Sequence, residues 1–543
     1  MKYRKIFLSL TLAVAMLLSS ACSRGASLEE IPSDSSGAIT SDSSGAATAD
    51  NTRETTADSN ETVTAEAEEQ TTGSTTVSSD VTENEPVEEI SSSSETEETD
   101  APDNITAAAS SSITTAASSS ATASSAASTT KITTTTTTTT AAATTTTAAT
   151  TTTTAAATTQ PPSSSGKTVQ INALSIPSNV ENMVNAMGAG WNLGNSMDAY
   201  SGSGASETVW GNPKTTKALI DAVKAAGFKT VRIPVTYIGK VDESSNYTVD
   251  KAWLDRLNEI VDYVIDNGMY AIINIHHDGG NDWNNGAWID CSASDQTKVR
   301  EKFRRIWEQV ADRFKNYGDH LIFESMNEIH EDDNWSGTPK KSSFYDNLNA
   351  LNQIFVNAVR ASGGSNSSRW LLVPGYCTNI DGTVSGAFKL PSDSASGRLM
   401  VSVHFYDPYE FALQEDSKVY KWGNDAPSGN KPGWGHEDYV EQQMQKLYNT
   451  FTSKGIPVII GEYGSIDKTW ADASSNQYRR YYFEYVAKSA VNHGCVPVYW
   501  DNGYDGKNGF ALFNRKTAAL LYPELTAAIV RGANRKSYAI YLP

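Results

Sequence analysis

From Val169 onward, short apolar runs alternate with longer stretches in which apolar residues recur every three or four positions. The runs are "MGAGWNLGN" (187–195), "TVRIPV" (230–235), "YAIINIHH" (270–277), "LIFESMNE" (321–328), "WLLVPGY" (370–376), "LMVSVHFY" (399–406), "PVIIGEYG" (457–464) and "VPVYWDNG" (496–503). Near-continuous apolarity over so few residues predicts strands buried on both faces. Segments such as "KTTKALIDAVKAAG", "KAWLDRLNEIVDYVIDNG", "VREKFRRIWEQVADRFKNYG", "DYVEQQMQKLYNTFTSKG" and "NQYRRYYFEYVAKSAVNHG" have the helical period. Each ends on the glycine expected just past a helix.

Strands that mostly alternate with helices predict an α/β fold with a parallel sheet covered on both sides, and eight of them fit a closed (β/α)8 barrel spanning residues 167–543. The fifth unit is the weakest, because "TNIDGTVSGAFKLPSDSASGR" offers no long helix. An open doubly wound sheet is the alternative, but the glycine-rich phosphate turn that would mark its nucleotide site is missing.

The chain before the barrel differs in composition. Residues 27–166 are Ser, Thr, Ala, Asp and Glu with almost no large apolar side chains, and are expected to form a disordered spacer. Residues 1–26 pair Lys2, Arg4 and Lys5 with an apolar run and then small residues, the pattern of an export signal. Cys22 after "LSSA" offers a site for a lipid and hence a membrane tether, the alternative being cleavage and release. Of the net charge of −20, most belongs to the spacer: 21 acidic residues lie between Glu29 and Asp103 against one Arg. The barrel is close to neutral and has no basic face for a nucleic acid. Cys291, Cys377 and Cys495 are too few for a disulfide framework and lack zinc spacing.

In such a barrel, chemistry gathers where the strands end at one shared mouth. Polar residues fall there repeatedly: Arg232, His276, His277, Asn327, Glu328, His404, Tyr406, Glu462 and Trp500. Singly, several have ordinary readings. An arginine in a strand can neutralise a buried acid, a lone histidine is more often a bonded core residue, and Tyr406 or Trp500 alone would pass for core aromatics. Glu328 and Glu462 are harder to dismiss, since a carboxylate at the end of an apolar strand is costly without a partner. Two of them across one mouth are what acid/base work on a glycosidic bond requires. A metal at "IHHDGGND" is disfavoured because neighbouring residues of a strand point to opposite faces.

Together, "GWNLGNSMDA", "VRIPV", "NE", "HFY", "GEYG" and "YWDNG" resemble the (β/α)8 glycoside hydrolases of clan A, specifically family 5 endoglucanases of the branch called subfamily 4, over roughly residues 170–535. The resemblance implies Glu328 as general acid/base, Asn327 on the sugar's 2-hydroxyl and Glu462 as nucleophile. It implies that Arg232 and Tyr406 hold Glu462, that His404 supports Glu328, and that His276 and Trp500 line the subsite before the cleaved bond. His277 fits the pattern less well than His276. The implied chemistry is double displacement with retention, needing carboxyl groups about 5–5.5 Å apart rather than the roughly 6.5–9.5 Å of inverting enzymes. Burial beside a second carboxylate is expected to keep the proton on Glu328.

A polysaccharide cleft needs aromatic platforms among hydrogen-bonding groups. Trp210, Trp283, Trp288, Trp335, Trp422, Trp434 and Trp470 fall in predicted loops after strands, whereas Trp253, Trp307 and Trp370 read as core. The expected partner is a β-1,4-glucan, with xyloglucan, lichenan or mannan as variants of the same reaction. A surface protein that only holds sugar is the reading from another class. No cofactor and no metal are expected, the chain is read as a monomer, and its place is outside the cell or tethered to its surface.

Overall fold

A computed structural model describes residues 166–280 and 282–543, so the expected export signal, Cys22 and all but the last residue of the expected spacer lie outside the described residues. Eight parallel strands close into a barrel: β1 (Gly190–Asn192), β2 (Thr230–Ile233), β3 (Tyr270–Asn274), β4 (Leu321–Glu324), β5 (Leu371–Pro374), β6 (Leu399–Phe405), β7 (Val458–Tyr463) and β8 (Cys495–Tyr499). Closure runs through Val498 opposite Gly190 and Tyr499 opposite Trp191. The ring excludes the open sheet. As the sequence suggested, the β5 to β6 connection carries no long helix, only the short turns Tyr376–Thr378 and Ile380–Val384.

The barrel is filled in layers, as alternation along each strand requires. Ile272, Ile322, Leu372, Met400, Ile459, Val496 and Val498 point inward and meet Val180, Met183, Val184 and Met187 of helix α1 (Ser178–Met187), which plugs the end away from the mouth. Their neighbours Ala271, Leu321, Phe323, Leu371, Val401, Ile460 and Cys495 face outward into the packing against the surrounding helices. Two residues beyond the apolar layer, the inward positions turn polar: Asn274 on β3, Glu324 on β4 and Ser402 on β6, joined by Asn192 and Arg232, all at most 1% exposed.

Strand β7 breaks this alternation. Counting from the inward Ile459, Glu462 would face outward. The register instead shifts between Ile460, which pairs with Val403, and Glu462, which pairs with His404. Gly461 is the extra residue of a β-bulge, the device that re-aims a side chain, and it turns Glu462 into the mouth. Only glycine is comfortable there, because a Cβ would lie 3.1 Å from the His404 ring and 3.3 Å from Ser402 Oγ.

The ladder ends earlier than the apolar runs suggested. β3 stops at Asn274, β4 at Glu324 and β8 at Tyr499. His276, His277, Asn327, Glu328 and Trp500 therefore stand just past strands that were expected to end on them. Free of the pleat, Asn327 and Glu328 are not bound to opposite faces.

Ile322→Ala, at the centre of the apolar layer, is expected to lower the unfolding free energy by about 2–5 kcal/mol, measured by chemical denaturation.

Candidate active site

Arg232 is fully buried on β2 and organises the polar layer. Its Nε donates to Glu324 Oε2 at 2.7 Å, Nη1 to Glu462 Oε1 at 2.8 Å and to Asn192 Oδ1 at 3.1 Å, and Nη2 to Asn327 Oδ1 at 2.7 Å. Burial works against its charge, but Glu324 and Glu462 outweigh it and hold the guanidinium above its ordinary pKa. Glu324 is held in turn by Ser402 Oγ at 2.6 Å and Asn274 Nδ2 at 3.0 Å.

Above this layer the two expected glutamates meet. Glu328, Glu462 and His404 each offer one atom to a group lying within 4.8 Å of one another. His404 Nδ1 is 2.5 Å from Glu328 Oε1 and 3.7 Å from Glu462 Oε2, which also accepts from Tyr406 at 3.0 Å. Both Glu462 oxygens are thus engaged as acceptors. Burial and the two glutamates push the Tyr406 phenol well above its usual pKa, so it stays a donor.

The expectation that burial holds the proton on Glu328 is not met in the free enzyme. Burial does raise its pKa, but His404 overcomes this and the net direction is down. His404 moves the other way: burial lowers it, yet Glu462 and Glu328 raise it above 6.5. The short contact thus favours the charged form of each partner, imidazolium on His404 and carboxylate on Glu328.

One wall of the mouth is aromatic. His276 stacks parallel to Trp500, with ring centroids 5.9 Å apart, and its Nε2 is 3.9 Å from Glu462 Oε1. Asn274 Nδ2 contacts His276 Nδ1 at 3.1 Å. With the amide donating, Nδ1 accepts and the proton sits on Nε2. Burial, with His277 and Arg232, pushes His276 well below 6.5, so the ring is neutral. Trp500 is seated by Gly194, where a Cβ would come within 2.8 Å of its ring. Asp501, fully buried, turns away from the mouth and accepts from Trp191, Leu512, Gly503 and Arg515.

His277 lies edge-on to His276 at 4.4 Å and 3.6 Å from Asp198, beside Tyr200 and Trp210. The alternation argument that kept the two histidines apart therefore fails. Asp198, His276 and His277 come within 4.8 Å of one another, because both histidines follow the end of the pleat. Nε2–H on His276 is nevertheless the wrong tautomer for ligation through that atom.

A family model described as cellulase (glycosyl hydrolase family 5) matches residues 192–506. The chain belongs to that family. Endoglucanase A of Paenibacillus barcinonensis is 46% identical over 356 residues, 64% of this chain and 88% of the relative. A family 5 xyloglucanase from Paenibacillus pabuli is 47% identical, covers 65% of this chain and 100% of its own, and superposes with a TM-score of 0.63. A broad-specificity endoglucanase from Bacteroides salanitronis is 44% identical over 67% of this chain and 97% of its own, with a TM-score of 0.62. The family 5 chain is thus a glycoside hydrolase of the endo-β-1,4-glucanase type, with a β-glucan as its substrate class.

The loops of this family 5 barrel sort the tryptophans. Trp210, Trp283, Trp434 and Trp470 are exposed, while Trp288 and Trp335 are half-buried. Trp422, expected at the mouth, is fully buried: it packs on Tyr481, Tyr482 and Tyr485 and donates to Gly435 O at 2.8 Å. It anchors the loop after β6 from below. Lys468, whose pKa burial pushes down to about 8, ties the same loop by donating to Glu410 O and Val419 O. Trp253 and Trp307 are core as expected, but Trp370 is half-buried under Arg398.

Glu324, Asn192, Asn274 and Ser402 were not singled out in the sequence. The available signal was Glu324 itself, a carboxylate inside "LIFE" with no polar neighbour in the strand.

Arg232→Ala leaves two buried carboxylates without their cation and is expected to cost about 3–5 kcal/mol of stability, read by denaturant unfolding. Adding Glu324→Gln should recover part of the loss. His404, held above 6.5, stabilises fully below 6.5 and loses this as pH rises through its raised value. Glu328, held below 4.5, contributes above 4.5 and loses this as pH falls through its lowered value. The difference in melting temperature between the wild-type protein and His404→Ala is therefore expected to be greatest between about pH 4.5 and 6.5.

Proposed function

We propose that this family 5 enzyme cuts internal β-1,4-glucosidic bonds with retention, Glu462 acting as nucleophile and Glu328 as general acid/base. The observation that carries the reading is the approach of the two carboxylates to within 4.8 Å around His404, closer than the roughly 6.5–9.5 Å separation of an inverting pair.

The attacking oxygen of Glu462 forms a bond to the anomeric carbon as the bond to the leaving oxygen breaks. The proton held on His404 passes through Glu328 to that leaving oxygen. Glu328, now without it, takes a proton from a water whose oxygen bonds to the anomeric carbon as the bond to Glu462 breaks, and the pair is reset. Arg232 and Tyr406 fix Glu462 throughout. Asn327, whose Oδ1 is held by Arg232, is left with its amide N–H groups for the sugar's 2-hydroxyl, a bond that strengthens toward the transition state. Trp500, backed by His276, offers a flat face to the sugar before the cleaved bond. His277 extends the same wall.

Trp210, exposed beside His277, and the exposed loop residues Trp283, Trp434 and Trp470 support action within a polymer. The relatives named for xyloglucan and for broad specificity support a range of β-glucans that includes cellulose, xyloglucan and lichenan, with mannan as the more distant variant. The export pattern in residues 1–26 supports a place outside the cell, with Cys22 offering a site for a tether and the 27–166 segment a spacer. Among the described residues no helix is long and apolar enough to cross a membrane. We read the working form as a monomer that needs no cofactor.

Glu462→Ala is expected to abolish reducing-sugar release from carboxymethylcellulose, with azide restoring turnover of an activated aryl cellobioside. Glu328→Gln should lose about 10²- to 10⁴-fold on glucan. Proton NMR should show the β-anomer as the first product; an α-anomer first would refute retention.

A further inference from the structure

The turn after β5 is backbone-strained in a way the mechanism above does not use. Cys377 and Thr378 are consecutive non-glycine residues with φ of 54° and 47°, a conformation costing about 1–3 kcal/mol each unless the surroundings impose it. Here the surroundings are the loop that carries Glu328. Cys377 N donates to Ile329 O at 3.0 Å, and the Tyr376 hydroxyl donates to the Glu331 carboxylate while accepting from Glu331 N at 3.2 Å. The result of this clamping is specific: Thr378, fully buried, has its Oγ1 3.4 Å from Glu328 Oε1, the oxygen that His404 also contacts. The Thr378 hydroxyl has one hydrogen, and it has a nearer acceptor in the Cys377 carbonyl at 2.7 Å.

We propose that Thr378 is a positioning residue for the reaction: the strained turn holds its hydroxyl beside Glu328 Oε1, and the hydrogen swings from the Cys377 carbonyl to that oxygen once the proton has gone to the leaving group. The inference rests on the assignment of Glu328 as acid/base. A donor is then available for the carboxylate only in the state that needs it, between the two half-reactions. The charged and titratable groups around Glu328 are His404 on β6, Tyr406 just past its end, Glu462 on β7, Arg232 on β2 and His330 on its own loop. Of these, His404 reaches the same oxygen, and Thr378 is the neutral donor beside it that no pH change can switch off.

Thr378→Val is nearly isosteric and keeps the β-branched strain, so it isolates the hydroxyl. On a soluble β-glucan it should lower kcat/KM by about 3- to 10-fold and move the basic limb of the pH profile upward by about half a unit to one unit, with KM little changed. Thr378→Ser should restore both. With dinitrophenyl cellobioside, whose leaving group needs no proton, the burst rate of the Val variant should match wild type. A wild-type profile in Thr378→Val overturns the proposal, as does an equal loss in Val and Ser variants without a shift. Should the Val variant not fold, Thr378→Ala takes its place with the same expectations. If Glu328→Gln keeps full activity on glucan, the acid/base assignment itself fails; if Glu328→Gln is inactive and the Thr378 variants are unchanged, only the present inference falls.

Discussion

A single buried guanidinium sets the geometry of everything above it. Arg232 cannot leave the barrel centre, because the apolar layer below it is closed by α1 and its own side chain is enclosed on all sides. It cannot lose its charge there, because Glu324 and Glu462 sit on its two edges. Its fork of rigid donors then dictates where one oxygen of Glu462 and the amide oxygen of Asn327 must be. The cost of burying that ion is offset only if its nitrogens are matched, and the ring of Asn192, Glu324, Asn327 and Glu462 engages all three of them. The site is therefore stiff for the same reason that the barrel core is polar.

Around this fixed point, environment divides identical side chains among different tasks. Glu324, inside the ladder, is spent on Arg232, Asn274 and Ser402 and has no path to substrate. Glu462, one bulge further along β7, shares Arg232 but reaches the mouth. Glu328, past the end of β4, lies beyond the hydrogen-bonding fork of the arginine and is matched to His404 and, more distantly, to Thr378. Proximity to a titratable imidazole replaces burial as the control on its proton, which is why an argument from burial beside a second carboxylate gave the opposite direction for it.

Much of the architecture was legible because barrels write themselves as a period. Eight apolar runs, most of them followed by a helix-period segment, had one parallel closed solution that kept both sheet faces dry, and the missing fifth helix was visible as a gap. The nine candidate residues were legible as polar groups at the ends of apolar runs, and the structure brings all of them to one end of the barrel. What failed was finer. The runs outlast the strands by several residues, since apolar side chains continue to pack after the backbone has left the ladder. Trp422 and the mouth tryptophans share a loop composition, and only Tyr481, Tyr482 and Tyr485 packed against its ring separate them.

The sequence by itself determined the fold class, the end of the barrel where chemistry collects and the two glutamates on it, because these follow from periodicity and from the cost of a carboxylate beside apolar residues. Only the tertiary structure decided how Glu462 is turned into the mouth, that Arg232 also holds Glu324, and that His276 and His277 stand side by side. Those depend on a one-residue register shift at Gly461 and on contacts between residues dozens to hundreds of positions apart. Local patterns carry no record of either.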